Sequence, residues 1–277
     1  MPFKNQKYSV LMSVYYKENP LWLEQSIESM LHQTILCDEF VIVKDGVLTD
    51  ELDSVLEKYK NKYSDLFHIV ALEKNQGLGI ALQIGVKNCQ NEFIARMDSD
   101  DYSSPDRMEK ELAIFNKYPE LDIVGTNVSE FIDNPDNVIS KVILPEKQEE
   151  IVCFSKKRNP FRHPSVVFKK QAVLKAGNYR EYYLCEDYDL WVRMIRSGCL
   201  CYNVQEVLVY MRINADFYKR RGGLLYFKSI HKFKKEQLDN GYFTKLQYIK
   251  TIVPHAIVCF MPNFCRDFIY KNYLRKK

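Results

Sequence analysis

Residues 8–15 read YSVLMSVY, a nearly unbroken apolar run that is typical of a strand buried on both faces of a parallel sheet. Asn19-Pro20 follows and predicts a helix start, because asparagine caps a helix with its side chain and proline fits the first helical position. Further short apolar runs occur at residues 40–43, 68–72 and 93–97, with amphipathic segments between them. This alternation predicts right-handed βαβ units on a parallel sheet.

Beyond residue 101 the alternation is less regular. Segments of strand or helix type follow at residues 104–115, 121–125, 138–144, 165–168, 186–196 and 204–212. Ser104-Pro105 is expected to cap and start the first of these helices. Because no linker rich in Pro, Gly or Ser interrupts the chain, we expect these segments to extend the same sheet. The sequence therefore predicts an α/β fold with a mostly parallel, Rossmann-like sheet flanked by helices.

The charge of the chain is unevenly distributed. The formal net charge is +4, yet residues 218–277 hold 14 Lys and Arg against 3 Asp and Glu, a net +11. Residues 1–217 hold 26 against 33, a net −7. Such a tail predicts a polyanionic partner, either nucleic acid or an anionic membrane face. A hydrophobic content of 46% with 27% charged residues excludes a disordered chain.

The cysteines and the N-terminal residues indicate the cytoplasm. The eight cysteines form no C-x-x-C pair and have no histidine at zinc-ligand spacing, which is typical of reduced thiols in a protein interior. Residues 1–7 contain no apolar run of the signal-peptide type.

Polar residues follow three of the predicted strands. Tyr15 and Glu18 follow the first strand, Asp45 follows the second, and Asp98-Ser99-Asp100-Asp101 follows the fourth. In an open parallel sheet, ligands bind at the carboxyl ends of the strands. These residues therefore predict a binding site at this edge of the sheet.

The aspartate cluster is the sharpest of these features. Alternate residues that leave a strand point to the same side, so Asp98 and Asp100 are expected to face one ion while Asp101 turns aside. Oxygen ligands without Cys or His nearby favour Mg²⁺ or Mn²⁺ over Zn²⁺. In isolation, the same acids also fit a loop that merely caps the helix at Pro105.

Taken together, these segments resemble the family 2 glycosyltransferases, whose fold is called GT-A. The resemblance covers roughly residues 8–220 and depends on five segments in order: SVLMSVYYKE, VIVKDG, NQGLGIALQIG, ARMDSDD and CEDYDLW. It implies a metal-dependent, inverting transferase that uses Mn²⁺ or Mg²⁺ and moves one hexose, galactose or glucose, from a UDP-sugar. The implied acceptor is a sugar linked to undecaprenyl diphosphate, as in the synthesis of O-antigen or capsule.

The resemblance also implies roles for donor-side residues. Asp100, with Asp98, matches the family's DxD motif and would hold the metal and the donor. Tyr15 and Glu18 match the loop around the base and ribose, and Asp45 matches the acid that accepts from the uracil N–H. Lys44 stands where most relatives have a second acid. The other nucleotide-sugar-binding residues implied by the resemblance are Asn75, Gly77, Arg96, Arg220 and Arg221.

On the acceptor side, Glu186-Asp187 resembles the family's ED motif. Asp187 matches the base that deprotonates the acceptor hydroxyl, and Glu186 would orient the acceptor or the base. His163 and Trp191 are acceptor-binding candidates, with a hydrogen-bonded structural histidine and core packing as their respective alternatives. The Q-x-x-R-W motif of processive synthases is absent, which favours one sugar per encounter.

The basic tail combines its cations with twelve Tyr and Phe. Residues 251–265 are apolar but too short to span ~30 Å of hydrocarbon, so they are expected to lie in the interface of an anionic leaflet. No recognisable nucleic-acid-binding motif is present, which favours the membrane over nucleic acid. A helical pair packed on the body is compatible with this location.

The expected organisation is a GT-A catalytic domain at residues 1–217, with a nucleotide-binding half at 1–101 and an acceptor-binding half at 102–217. Residues 218–277 form a membrane-associating region, peripheral on the inner face of the cell membrane. Two rival functions remain. A sugar-phosphate nucleotidyltransferase would need a Gly-rich loop after the first strand, which the chain lacks. A catalytically silent membrane scaffold would not need Asp98, Asp100 and Asp187, which are all present in the chain.

Overall fold

The apolar runs of the first half form neighbouring parallel strands in the order β3-β2-β1-β4. The computed structural model describes residues 6–213 and 219–262. The elements of this half are β1 Tyr8–Val14, α1 Pro20–Leu31, β2 Glu39–Lys44, α2 Asp50–Lys62, β3 Phe67–Ala71, α3 Leu78–Asn88 and β4 Phe93–Arg96. The predicted βαβ units are confirmed.

The second half adds strands of both directions to the same sheet, so the predicted extension of the sheet is confirmed. The elements are β5 Tyr102–Ser103, α4 Arg107–Lys117, β6 Ile123–Phe131, β7 Val138–Val142, α5 Gln148–Ser155, β8 Val167–Lys169, α6 Lys170–Lys175, α7 Glu186–Arg196 and β9 Cys201–Arg212. From β4 the order continues β8-β6-β9-β5, and β7 pairs with β6. β8 is antiparallel to β4 and β6, whereas β6 and β9 are parallel. The sequence patterns did not predict β5, α5 or α6.

Helix capping follows the sequence at two of three positions. The Asn19 side chain accepts hydrogen bonds from the first turn of α1, and the Thr49 hydroxyl accepts one from the first turn of α2. The predicted cap at Ser104-Pro105 is wrong, because α4 begins at Arg107. Residues 102–103 pair with β9 and the Ser104 amide donates to the Leu208 carbonyl, so the chain stays in the sheet up to Ser104 and turns at residues 105–106 before the helix begins.

Two apolar layers cover the two faces of the sheet. One contains Leu23 and Ile27 of α1 with Phe115 of α4, and the other contains Leu82 of α3 with Trp191 of α7. All five side chains are buried. Burying a large apolar side chain contributes about 1.5–3 kcal/mol, so these layers fix the sheet whose carboxyl edge carries the polar residues.

The basic tail forms two helices, α8 Gly223–Asp239 and α9 Lys245–Phe260. α8 packs on α7 and on the loop before it: Phe233 meets Tyr188 of α7 with ring centroids 4.5 Å apart, and the Tyr182 hydroxyl donates to Glu236 at 2.7 Å. Within 6–213 and 219–262, every helix falls short of the length and apolar character of a membrane span. The predicted apolar segment at 251–265 continues past residue 262, outside the described residues.

Candidate active site

A cleft of about 1660 Å³ opens at the carboxyl edge of the parallel strands. Its lining includes most of the sequence-predicted site residues: Tyr15, Glu18, Asp45, Asn75, Gly77, Asp98, Asp100, His163, Glu186, Asp187, Arg220 and Arg221. Arg96 and Trp191 do not line it. The fold therefore brings residues from both predicted halves and from the basic tail to one cavity.

Three carboxylates meet at the end of β4. Carboxylate oxygens of Asp98, Asp100 and Asp101 lie within 4.8 Å of one another. Burial, and then the charge of Asp98, raise the pKa of Asp100 to about 6. Burial likewise raises the pKa of Asp101 well above its ordinary value. The expectation that Asp101 turns aside is wrong, since its carboxylate belongs to the cluster while accepting from the Arg212 amide at 2.7 Å.

The aspartate cluster fits a hard divalent cation. Its donors are carboxylate oxygens, the ligands that Mg²⁺ and Mn²⁺ prefer. The buried Oδ2 of Asp101 accepts no hydrogen bond from the described part of the chain. A cation would satisfy this atom and offset the mutual repulsion that opposes ionisation of the cluster.

Arg96 lies behind the cluster instead of on the cleft wall. It is 1% exposed, and its guanidinium pairs with the Asp98 carboxylate. Its position favours a role in orienting Asp98 over the predicted direct contact with the donor.

Arg212 supports the cluster from the opposite side and was missed by sequence reasoning. Its guanidinium lies over the rings of Trp22 and Phe131, at 4.7 and 4.5 Å from their centroids. Its Nε donates to the Asp100 carbonyl at 2.9 Å. Arg212 is the last residue of β9. Polar residues at the carboxyl ends of strands predicted the other site residues, and the same rule would have identified Arg212.

Asp45 organises the loop before α3. Its Oδ1 accepts from the Gln76 amide at 2.7 Å and its Oδ2 from the Gly77 amide at 3.0 Å. Gly46 has φ +89°, and a Cβ there would come within 2.6 Å of the Asn75 nitrogen, so only glycine allows this approach. Asp45 therefore positions the predicted donor-binding loop, and each of its oxygens keeps a lone pair for a ligand.

The first strand and the tail meet at Glu18. Burial, then Asp100 and Asp98, raise the pKa of Glu18 to about 8. The charge of Arg220 acts on Tyr15, Glu18 and Asp100, and in each case it opposes the rise of the pKa. Arg220 therefore stands close to the acidic end of the cleft. The residues just before this segment, 214–218, lie outside the described ranges.

Glu186 and Asp187 open α7 and line the same cleft. The Asp187 carboxylate accepts from the Tyr188 amide at 2.7 Å and from Asn159 Nδ2 at 2.6 Å. Burial, and then the charge of Asp187, raise the pKa of Glu186 to about 8. Burial also raises the pKa of Asp187, but its two hydrogen bonds favour the charged form. Burial and the charge of Asp187 therefore favour a proton on Glu186, whereas the hydrogen bonds of Asp187 favour its carboxylate form.

Close packing connects this pair to the donor half. A Cβ on Gly79, at the start of α3, would come within 2.4 Å of the Arg180 carbonyl oxygen and 3.3 Å of Glu186 Cβ. Gly79 thus lets α3 approach the loop that leads into α7.

The raised pKa of Glu186 predicts that activity falls at alkaline pH in any reaction that uses Asp187 as the base. As pH rises through about 8, Glu186 loses its proton and two adjacent buried carboxylates become charged. Activity is expected to fall there, because the second charge opposes the hydrogen-bonded arrangement around Asp187. Glu186→Gln is expected to lose this alkaline limb in a pH profile of kcat. An unchanged limb in Glu186→Gln would assign it to another group.

The two remaining acceptor candidates are held inside the protein. His163 Nε2 lies 2.9 Å from the Tyr179 hydroxyl, and burial keeps its pKa well below the ordinary value, so the ring is neutral. Trp191 is fully buried and meets Phe161 and Phe168 with ring centroids 5.9 and 6.0 Å apart. The prediction that Trp191 forms a wall of the acceptor site is wrong, because its helix directs it into the core.

Sequence reasoning also missed several basic residues of the cleft. They come from β7, from the segment after α5 and from α9: Lys141, Lys157, Arg158, Arg162 and Lys250. A single basic residue outside a motif gives no sequence pattern that marks a binding site. Only the fold brings these five residues together in one cleft.

Two named relatives align with nearly the whole length of this chain. It is 37% identical over 272 residues to the UDP-Gal:alpha-D-GlcNAc-diphosphoundecaprenol beta-1,3-galactosyltransferase of Escherichia coli, covering 98% of this chain and 97% of the relative. It is 35% identical to the amylovoran biosynthesis glycosyltransferase AmsE of Erwinia amylovora, covering 96% and 98%.

Solved structures share the fold. S. aureus TarS 1-349 in complex with UDP-GlcNAc superposes with a TM-score of 0.65 at 16% identity, covering 97% of this chain and 72% of that one. The mannosyltransferase PcManGT of Pyrobaculum calidifontis, in complex with GDP-Man and Mn²⁺, superposes with a TM-score of 0.64 at 14% identity, covering 94% and 72%. The GT-A fold is confirmed.

The family model described as glycosyl transferase family 2 matches residues 9–180. That match covers nearly all of β1 to β4, the aspartate cluster and the first part of the loop before α7. The resemblance of the sequence segments, the fold and the relatives agree, and the chain belongs to glycosyl transferase family 2.

Proposed function

We propose that this chain is an inverting hexosyltransferase that moves a single galactose or glucose from a UDP-sugar to a lipid-diphosphate-linked sugar in bacterial surface polysaccharide synthesis. One observation carries the proposal: a single cleft is lined by both the aspartate cluster and the Glu186-Asp187 pair. The E. coli relative's name, with its UDP-Gal donor and GlcNAc-diphosphoundecaprenol acceptor, supports the choice of substrates.

The donor would occupy the end of the cleft formed by the first half. Asp98 and Asp100 would hold Mn²⁺ or Mg²⁺, which when bound neutralises diphosphate charge. Arg220 and Arg221 line the same cavity and would add positive charge near the leaving UDP. Tyr15 and the loop held by Asp45 border the space left for the nucleotide.

The acceptor would meet the donor at Asp187. Its carboxylate takes the proton of the acceptor hydroxyl as that oxygen forms a bond to the anomeric carbon and the bond to UDP breaks. Attack from the side opposite UDP inverts the anomeric configuration. Asn159 and the Tyr188 amide fix the carboxylate, so its orientation is set before the acceptor arrives.

The direct test is a donor screen. Purified protein is incubated with Mn²⁺, a defined GlcNAc-diphosphate-lipid acceptor, and UDP-galactose, UDP-glucose or UDP-GlcNAc in turn. The proposal expects one hexose to be added, with inversion, and linkage analysis identifies the product. No transfer from any UDP-hexose, or the addition of many sugars per encounter, would contradict it.

We further propose that α9 places the protein on the inner face of the cell membrane. Five apolar residues at helical spacing, each 50–59% exposed, form a stripe along this helix: Leu246, Ile249, Val253, Ile257 and Phe260. Lys245 on the same helix is also exposed and suits anionic headgroups.

Removal of the stripe is expected to release the protein from vesicles. The double variant Ile249→Asp/Ile257→Asp forfeits about 1.5–3 kcal/mol of apolar burial per site, so co-sedimentation with vesicles rich in anionic phospholipid should weaken by roughly 100-fold or more. Leu36→Asp, an exposed apolar position between α1 and β2, is the matched control and should sediment like the wild type. Equal sedimentation of all three proteins would refute the membrane role of α9.

A further inference from the structure

Three basic side chains on the acceptor side of the cleft have no protein partner in the described ranges. Lys157 and Arg158 follow α5, and Lys250 lies on α9. All three line the cleft and are exposed, and none of their side chains forms an ion pair or hydrogen bond with residues 6–213 or 219–262. By contrast, the neighbouring Lys156 lies over the Tyr242 ring at 5.1 Å. Unpaired cations that converge on one cavity favour an anionic ligand.

Arg158 lies close to both the proposed base and α9. The next residue, Asn159, donates to Asp187 at 2.6 Å. Toward α9, the charge of Arg158 acts on His255, whose pKa is lowered to about 4 by burial first, then by Lys234, with a smaller effect of Arg158. The segment after α5 therefore lies close to α9 and to Asp187, and all three line the cleft.

The reaction geometry leaves this region for the acceptor's anchor. The hexose to be transferred and its UDP occupy the side of Asp187 toward the aspartate cluster. The acceptor hydroxyl lies at Asp187, so the rest of the acceptor must extend away from the donor. Apart from the donor-end acids and the catalytic pair, Glu181 is the one acidic residue lining the described part of the cleft, so this side is predominantly basic.

We propose that Lys157, Arg158 and Lys250 form the binding site for the diphosphate that joins the acceptor sugar to its lipid. This inference rests on the proposed function and identifies a second diphosphate site, separate from the one that binds UDP. The planar guanidinium suits bidentate contact with phosphate, and the two ammonium groups supply point charges on either side.

The lipid has an apolar path next to this site. Pro254 and Val258 follow Lys250 at intervals of four residues, on the same side of α9, and line the cleft. The exposed stripe of α9 is adjacent to this side of the helix, with Lys250 at the boundary. The first lipid units can therefore leave the cleft over α9 toward the membrane.

The test compares two acceptors in the absence of any membrane. One is GlcNAc diphosphate on a short, water-soluble alkyl chain, and the other carries the same sugar and chain without the diphosphate. The variant is Lys157→Gln/Arg158→Gln/Lys250→Gln, and the matched control is Lys60→Gln/Lys147→Gln, two exposed lysines that do not line the cleft. Acceptor binding is measured by calorimetry, and transfer is measured as kcat and KM.

The triple variant is expected to bind the diphosphate acceptor roughly 10–100-fold more weakly, and the KM for this acceptor should rise in parallel. An effect of this size is expected because the variant loses charge-assisted contacts at a site that is partly open to solvent. The KM for the UDP-sugar, the kcat at saturating acceptor and the KM for the neutral acceptor should not change. The control variant should match the wild type throughout. Because the three side chains are exposed, thermal unfolding of all variants should coincide.

Each contrary outcome has a distinct meaning. Unchanged binding of the diphosphate acceptor by the triple variant overturns the site, whether or not transfer is observed. Weaker binding to anionic vesicles alone would assign these cations to lipid headgroups and also overturn it. If the wild type binds the diphosphate acceptor but transfers no hexose, the proposed function fails, while the binding comparison still decides the site.

Discussion

Asp187→Asn is expected to lower kcat for hexose transfer by roughly 10²–10⁴-fold, the usual contribution of a general base. The amide keeps the size of the side chain but has almost no affinity for the proton of the acceptor hydroxyl. Asn159 donates to one of the carboxylate oxygens at 2.6 Å, and the amide oxygen can retain such a contact. Binding of UDP should stay at the wild-type level, because Asp187 is not a member of the aspartate cluster that is proposed to hold the metal and the donor.

The measurement pairs single-turnover transfer with equilibrium binding of UDP and Mn²⁺. Asp65→Asn, an exposed aspartate between α2 and β3, controls for loss of one negative charge. Transfer by Asp187→Asn at near the wild-type rate would show that another group is the base. Loss of UDP binding would instead point to a general disturbance of the cleft.

Asp100→Ala is expected to abolish metal-dependent turnover. Asp100 is one of three aspartates whose carboxylate oxygens lie within 4.8 Å of one another, and its loss removes a ligand that the proposed ion needs. Without the ion, the departing UDP loses the largest positive charge available to it, which is worth several kcal/mol at the transition state. A decrease of roughly 10³-fold or more in kcat/KM is therefore expected.

The wild type provides the complementary experiment. Treatment with EDTA should remove activity, and addition of Mn²⁺ or Mg²⁺ should restore it, whereas Asp100→Ala should respond to neither ion. Asp136→Ala, an exposed aspartate before β7, serves as the charge control. Wild-type turnover that persists in EDTA would remove the metal from the mechanism and leave the cluster without this role.

The fold was most predictable where the pattern is local. The runs that became β1 to β4 are continuous and apolar, and their helices carry caps such as Asn19 and Thr49 that act within one turn. The prediction at Ser104 failed because distant pairing of residues 102–103 with β9 decides where that helix begins. β5 has only two residues, which is too short for a periodic pattern in the sequence. It forms a strand because it pairs with β9.

The site was predictable to the extent that polar residues stand at strand ends or in short motifs. Asp98, Asp100, Glu186 and Asp187 were identified in this way, and all four line the cleft. Trp191 was misassigned because helical spacing does not tell which side of α7 meets the core.

The sequence alone determined the alternation of β1 to β4 with their helices, the aspartate cluster and the acidic start of α7, because each depends on neighbours within a few residues. Tertiary structure decided which of these groups share a cavity. It brought Arg212 to the aspartates, Asn159 to Asp187, and Lys250 of α9 to the cleft that Arg158 also lines. It also decided their protonation, since the raised pKa of Glu186 comes first from burial and then from the charge of Asp187. Desolvation arises only when distant segments close around a group, and no local pattern carries that information.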